Sequence, residues 1–288
     1  MNHGWLILNK PEGMSSTRAG GPLKRLFSQK KIGHAGTLDP FASGVLPLAL
    51  GEATKTMPYL MNRPKSYRFT LKFGSQTSTD DTEGEVIATS VIKPRLEDLK
   101  IALPLFTGVI TQTPSVYSAI KINGKAAYAR ARAGETIEMP KRQVKIYDLS
   151  LEDYRGDMAT FSVHCGTGTY VRSLGRDIAI HLGTVGHLVM LQRICVGPFK
   201  LENAISLENI LEMRDTSLVR VLLPIGSVLD DIPAVSVSLQ EAVKIQHGQM
   251  VEVPHNTVTR ISAWCDNKLI ALGHVTDNLF YPDRVFNI

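Results

Sequence analysis

Gly33-His34-Ala35-Gly36-Thr37-Leu38-Asp39-Pro40-Phe41-Ala42-Ser43-Gly44 packs three glycines, one proline, one histidine and one carboxylate into twelve positions, and the rest of the chain is read outward from it. Glycine permits positive φ and close backbone approach, and proline fixes φ, so His34 and Asp39 sit on a constrained loop. Constrained loops on a rigid scaffold are where catalytic groups are commonly placed. The plainer alternative is an Asp-Pro turn in which Asp39 only bonds its own backbone. The next residues weigh against it. Val45 to Leu50 is a continuous apolar run that predicts a buried element, and Gly51-Glu52-Ala53-Thr54-Lys55 stops the chain tightly a second time.

A chain of 288 residues holds one large domain, or a large and a small one. A hydrophobic content of 43% is that of an ordinary soluble globular protein. The net charge of +5 favours a polyanionic partner without establishing one. Cys165, Cys195 and Cys265 are odd in number, far apart and free of any CxxC, which argues against a disulfide scaffold or structural zinc and fits a reducing cytoplasm. The opening Met1 to Lys10 lacks the basic start and long apolar core of a signal peptide, and no apolar run approaches the length of a membrane span.

Patterning gives the elements. Trp5 to Leu8 predicts a short strand, stopped by Lys10-Pro11-Glu12-Gly13. Ser15-Ser16-Thr17 offers a cap to a helix with Leu23, Leu26 and Phe27 on one face, and that helix carries the basic group Lys24, Arg25, Lys30 and Lys31 just before the Gly33 loop. That group is either a solvated face or a phosphate contact. Ser66 to Gly74 alternates as a strand, Thr77 to Gly84 is a polar, acidic loop, and Glu85 to Ala88 is a second short strand. Leu96 to Phe106 has helical spacing, Gln112 to Ala119 is extended and then turns, and Tyr128 to Arg132 is helical. Val144 to Leu151 and Ala159 to Cys165 predict strands, Gly166-Thr167-Gly168-Thr169 a tight loop, and Tyr170 to Leu182 a helix with Val171, Leu174, Ile178 and Leu182 on one face. Without regular βαβ alternation the class is α+β: a mixed, largely antiparallel sheet flanked by helices. A boundary near Asp230-Asp231-Ile232-Pro233 divides a main domain, 1–232, from a small β-rich unit, 233–288, in which Ser238 caps a helix Leu239 to His247 and short strands follow. About 55 residues is marginal for independent folding, so this unit is expected to dock on the main body.

Residues 33–55 resemble the signature segment of the TruB family of pseudouridine synthases nearly residue for residue. Four further segments are similar to that family's motifs. These are Ser66-Tyr67-Arg68; Gln112 to Arg132, like Q-x-P-P-x-Y-S-A-x-K with a basic stretch behind it; Cys165 to Leu174; and Leu188 to Arg193 with Val196-Gly197-Pro198-Phe199 beyond. Lys10-Pro11 resembles the N-terminal K-P-x-G, expected as framework bracing the loop. The resemblance runs from about Gly4 to Phe199. The C-terminal unit resembles a PUA-type RNA-binding module only in position and strand content.

The resemblance implies a pseudouridine-synthase-like catalytic domain that isomerises a uridine in the T-loop of tRNA, at position 55. Asp39 is then the catalytic nucleophile, Arg172 the arginine that pairs with it, and Tyr67 a ring that stacks on the flipped uracil and takes part in proton transfer. Tyr170 and Leu191 line the uracil pocket, and His34 lies against the RNA. The chemistry is consistent with these residue types. A carboxylate can act as a covalent nucleophile at an electron-poor sugar carbon, an arginine favours its ionised form, and a base must leave its stack to be reached. Attack at the sugar and attack on the uracil ring both remain open. Isomerisation adds and oxidises nothing, so neither cofactor nor metal is expected; the partner is the T-arm of tRNA, and the protein is expected to be a cytoplasmic monomer. Each residue also has a plainer reading: Tyr67 as a half-buried strand tyrosine, Arg172 on an exposed helical turn, His34 as structural. Two positions depart from the family. Thr113 replaces a proline, which predicts a looser turn, and Gln192 replaces the first of two arginines, which puts one phosphate or carboxylate contact in question.

Other classes fit less well. A non-catalytic RNA-binding or RNA-folding protein would suit the charge but not need the intact loop. A zinc deaminase needs H-x-E with P-C-x-x-C, a P-loop needs G-x-x-x-x-G-K-[ST], and a dinucleotide fingerprint needs a third glycine after Gly166-Thr167-Gly168; none is present.

Overall fold

The computed structural model describes residues 3–122, 124–213 and 218–288. Asn123, within the Gln112–Arg132 segment, lies outside them. The apolar run after the glycine loop becomes the strand Ser43–Leu50, buried along all but its first residue. It lies inside a ten-stranded mixed sheet whose main path runs Ile205–Ser206, Gly4–Lys10, Ser43–Leu50, Gly186–Val196, Lys65–Phe73, Met158–Cys165, Arg142–Arg155, Gly108–Gln112. Neighbours are antiparallel except at two places: Gly4–Lys10 with Ile205–Ser206, and Ser43–Leu50 with Gly186–Val196. The second exception is where the sheet's two halves meet, through only Gln192 opposite Ser43 and Arg193 opposite Gly44.

That junction depends on a glycine. Gly44 has φ +103°, and a Cβ there would stand 2.3 Å from the carbonyl oxygen of Arg193. Only a residue without a side chain lets the strands close, and this seam sits four residues after Asp39.

Alternation decides which face each side chain meets. Phe69, Leu71 and Phe73 point into the core beside Phe161 and Val163, with Phe69 and Phe161 stacked at 5.1 Å. The helix Val171–His181 covers this face with Leu174 and Ile178. It packs closely because Gly175 faces Leu71 and Leu188. Each fully buried Leu or Phe contributes about 1.5–3 kcal/mol. The predicted helix from Leu96 to Phe106 is an α-helix, Leu96–Ala102, which tightens to a 3-10 turn, Leu103–Phe106, where Pro104 interrupts it.

Strand Gly4–Lys10 is buried on both faces. Leu6 and Leu8 join the main core, while Trp5 and Ile7 join a second cluster with Leu269, Leu272 and Phe286. Those three belong to the C-terminal unit, a five-stranded sheet in the order Ala234–Ser236, Val258–Cys265, Lys268–Thr276, Leu279–Val285, Val251–Glu252. Its helix, Leu239–Gln246, opens with a capping box between Ser238 and Glu241. The unit is docked as its small size requires: Lys55 Nζ donates to the Val285 carbonyl at 2.7 Å, and Asn287 N donates to Glu52 at 3.0 Å. Among the described residues no helix is long and apolar enough to cross a membrane.

Candidate active site

The glycine loop is pinned from both sides. Ser16 Oγ accepts from Leu38 N at 2.8 Å and donates to Leu38 O at 3.0 Å. Lys10, fully buried, donates from Nζ to the carbonyls of Pro11, Met14 and Pro40 at 2.8, 2.6 and 3.2 Å. Gly13 N adds a bond to Pro40 O at 2.9 Å. Lys10 therefore braces the loop, and burial lowers its pKa to about 8 against the opposing pull of Asp39. The turn alternative is partly realised, since Ala42 N donates to Asp39 O at 3.1 Å, but the Asp39 carboxylate is turned outward and is free to do more.

That carboxylate meets Arg172. Arg172 Nε lies 2.9 Å from Asp39 Oδ2, and its Nη1 lies 3.3 Å from Asp81 Oδ2. The same guanidinium donates to Thr79 O at 2.7 Å and Tyr117 O at 3.2 Å. Every nitrogen is engaged and the side chain is only 4% exposed, against 37% for Asp39. Arg172 is thus not on an exposed turn. It is locked at the start of the helix Val171–His181 and delivers a fixed fork to a more accessible carboxylate.

Two cavities meet at Asp39. The first, of about 400 Å³, is lined by Asp39, Tyr67, Tyr170, Val171, Leu191 and Arg193 among others. Tyr67 presents part of its ring there, while its hydroxyl is paired with the buried Arg193; burial raises the Tyr67 pKa against the pull of that arginine, so the group is a neutral phenol. Tyr170 is held by its backbone: Tyr170 N donates to Gln112 Oε1 at 3.1 Å and Gln112 Nε2 donates to Tyr170 O at 3.3 Å. The Arg142 guanidinium lies 5.5 Å from the Tyr170 ring centre. The second cavity, a trough of about 870 Å³, carries His34, Tyr117, Tyr128 and Arg132 and shares Asp39 and Arg172 with the first. Burial, and next the nearby Arg193, lower the His34 pKa, favouring the neutral ring. The structure therefore gathers Asp39, Tyr67, Tyr170, Leu191 and Arg172 around one cavity and places His34 in the adjoining trough.

Sequence reasoning passed over three groups. Arg193 donates from Nε to Val45 O at 2.7 Å and from Nη2 to Gly36 O at 3.0 Å, tying the glycine loop to the central strand. Asp80 and Asp81, read as part of a polar loop, are buried; Asp80 pairs with Arg176 at 2.9 Å and Asp81 with Arg172. Two adjacent acids before a glycine give no local sign of burial. The available signal was the pair of arginines at 172 and 176, one helical turn apart on one face.

Both departures from the expected motif fall away from the cavity. Leu191 and Arg193 line it, so Gln192 between them faces the other side of the sheet. Laid on Q-x-P-P-x-Y-S-A-x-K from Gln112 to Lys121, Thr113 falls at a free position beside Pro114, and the missing proline is at Ser115 rather than Thr113; the Thr113 carbonyl accepts from Arg176 Nη2 at 2.7 Å.

The chain matches the TruB family pseudouridylate synthase (N terminal domain) model over residues 24–171 and the tRNA pseudouridylate synthase B C-terminal domain model over residues 172–230. It is 46% identical to tRNA pseudouridine synthase B of Rhodopseudomonas palustris, covering 99% of this chain and 81% of that protein. It is 42% identical to tRNA pseudouridine synthase B of Caulobacter vibrioides, covering 99% and 96%. Among solved structures, a chain of an H/ACA RNP bound to a substrate RNA containing 2'-deoxyuridine shares the fold with a TM-score of 0.76 at 22% identity, covering 99% of this chain and 85% of that one. A chain of a Cbf5-Nop10-Gar1 complex does so with a TM-score of 0.74, also at 22% identity, covering 99% and 85%. The chain belongs to the TruB family of pseudouridine synthases.

Proposed function

We propose that this enzyme isomerises uridine to pseudouridine in the T-loop of tRNA, at position 55, with Asp39 as the covalent nucleophile. The observation that carries the reading is the Asp39–Arg172 pair, 2.9 Å apart, where two adjoining cavities meet. A uridine swung out of its loop has its base in the first cavity and its backbone in the second, so Asp39 faces the glycosidic bond between them. Tyr67 and Tyr170 supply ring faces and Leu191 an apolar wall for the uracil, as nucleobase pockets generally do. Arg172 aims the Asp39 carboxylate, and Asp81 fixes Arg172 from behind. The carboxylate adds either to the sugar carbon C1′ or to the uracil ring; the C1′–N1 bond breaks, the base turns, C1′–C5 forms as Asp39 is released, and C5 loses a proton while N1 gains one. Tyr67 enters as a phenol, able to hand over a proton but not to remove one unaided. His34 faces the RNA from the trough. The balanced reaction calls for no oxidant, cofactor or metal, and the protein acts as a cytoplasmic monomer on the T-arm.

RNA gripping by shape and backbone charge accompanies this chemistry. Lys24, Arg25, Lys30 and Lys31 are exposed beside the glycine loop with no ion pair among the described residues. The test is to treat an unmodified tRNA transcript with the pure protein and no added metal, then map pseudouridine by mass spectrometry after selective tagging, because the isomer has the mass of uridine. One tagged position in the T-loop is the expected result. An untouched transcript, or tagging only elsewhere, would overturn the proposal.

A further inference from the structure

A second concave site lies on the far side of the short helix Met57–Met61, at the contact between the main body and the C-terminal sheet. It has about 250 Å³ and is lined by Tyr59, Asn62, Arg63, Asp231, Arg260 and Arg284, with Pro58 at its edge. Arg63 comes from the main body, and Arg260 and Arg284 come from two strands of the C-terminal sheet, Val258–Cys265 and Leu279–Val285. Three arginines from two units thus line one hollow.

The charges there are not balanced. Arg63 pairs with both Asp230 and Asp231, the latter at 2.6 Å, so both acids are already engaged by one arginine. Arg260 and Arg284 are exposed and have no carboxylate partner among the described residues. Arg260 instead lies 5.3 Å from the centre of the Tyr59 ring, a cation–π contact that restrains it beside the hollow. Arg63 Nε is enclosed with no hydrogen-bond partner among the described residues. Planar donors held in place around a hollow suit a tetrahedral oxyanion far better than scattered lysines do.

Position says which oxyanion. Met61 lines the Asp39 cavity, while Pro58, Tyr59, Asn62 and Arg63 line this one. The carbonyl of Met61 is gripped by Lys65 Nζ at 2.9 Å and Thr167 Oγ1 at 3.3 Å, both of them residues of the Asp39 cavity. One helix, about 10 Å across, therefore separates the two sites. We infer that the hollow formed by Arg63, Arg260 and Arg284 is a backbone-phosphate clamp for the RNA whose uridine occupies the Asp39 cavity. This rests on the proposed function. The clamp makes RNA binding depend on the docking of the C-terminal sheet, because the phosphate bridges guanidiniums from both units.

The test uses the full chain and the double variant Arg260→Gln/Arg284→Gln, both positions being exposed, with unmodified tRNA transcript as the probe. Each phosphate contact contributes a slope of about 0.7–0.9 in log affinity against log salt. The double variant is expected to lose roughly 1.4–1.8 of that slope. It should bind the transcript at least tenfold more weakly at moderate salt. Lys93→Gln/Lys100→Gln removes the same charge at the opposite end of the main sheet, beside the helix Leu96–Ala102, and is expected to change the slope little. Equal slopes for wild type and the arginine variant, or an equal loss in the lysine control, would overturn the clamp. The parent reading fails separately, if wild type leaves the transcript unmodified; the salt slopes still decide the clamp in that case.

Discussion

Replacing Arg172 with lysine keeps the positive charge and tests whether the fork geometry aims Asp39. The guanidinium reaches Asp39 at 2.9 Å through Nε while Nη1 and Nη2 hold Asp81, Thr79 O and Tyr117 O on the opposite side. A single ammonium cannot occupy both sides. The buried Asp81 and the Thr79 carbonyl offer the better desolvated partners, so the amine is expected to settle there, about 5 Å from Asp39. At an effective dielectric near 20, withdrawing the cation from 2.9 Å to that distance weakens the attraction by about 2.4 kcal/mol. If the loss falls on the transition state, it corresponds to a roughly 60-fold lower kcat, in line with what misplacing a reacting group costs. Loss of the Tyr117 bond costs about 1–2 kcal/mol of stability, small enough for the fold to survive. The assay is single-turnover pseudouridine formation on a T-arm transcript at saturating enzyme, alongside a thermal melt. A cooperative melt with kcat within twofold of wild type would refute the reasoning, because Asp39 would then not depend on a guanidinium for its aim.

Two further expectations follow from the same framework. Gly44→Ala places a Cβ 2.3 Å from the Arg193 carbonyl at φ +103°, so it should destabilise the fold by about 3 kcal/mol or more; urea denaturation measures this, and a midpoint equal to wild type would contradict the seam's role. Lys10 has a folded pKa of about 8 against 10.5 when unfolded, so between those values the unfolded chain holds a proton that the folded one has released, and this group makes stability rise with pH from about 8 to 10.5. Lys65, also lowered to about 8 by burial, acts in the same window, so Lys10→Met should flatten the rise partly, and an unchanged slope would show that Lys10 does not titrate there.

The parts of this site that were legible in the sequence are those whose meaning is local. The glycines and proline around Asp39 declare a constrained loop, the alternation of 65–73 declares a strand, and the spacing of Val171, Leu174 and Ile178 declares a buried helix face. The motif resemblance then connected these distant segments. What stayed illegible depends on pairings that no spacing encodes. Arg193 looks like one polar residue in an apolar strand, yet it sits at the parallel seam and holds Gly36 and Val45 from more than a hundred positions away. Asp80 and Asp81 read as loop acids because their partners, Arg176 and Arg172, arrive only when the helix closes over the sheet. The resemblance marks Lys10-Pro11 as framework for the loop, but only the fold shows how: three carbonyls converge on the Lys10 ammonium. The role of Gly44 was likewise hidden, since the carbonyl that excludes a side chain there belongs to residue 193.

The most direct measurement of the central claim pairs product formation with binding for Asp39→Asn, a change that removes the negative charge while keeping the side chain's shape. The account predicts no pseudouridine above background in a tRNA transcript incubated with excess variant, while its affinity for that transcript stays within a few-fold of wild type. Substantial pseudouridine formation by the Asp39→Asn protein would contradict it.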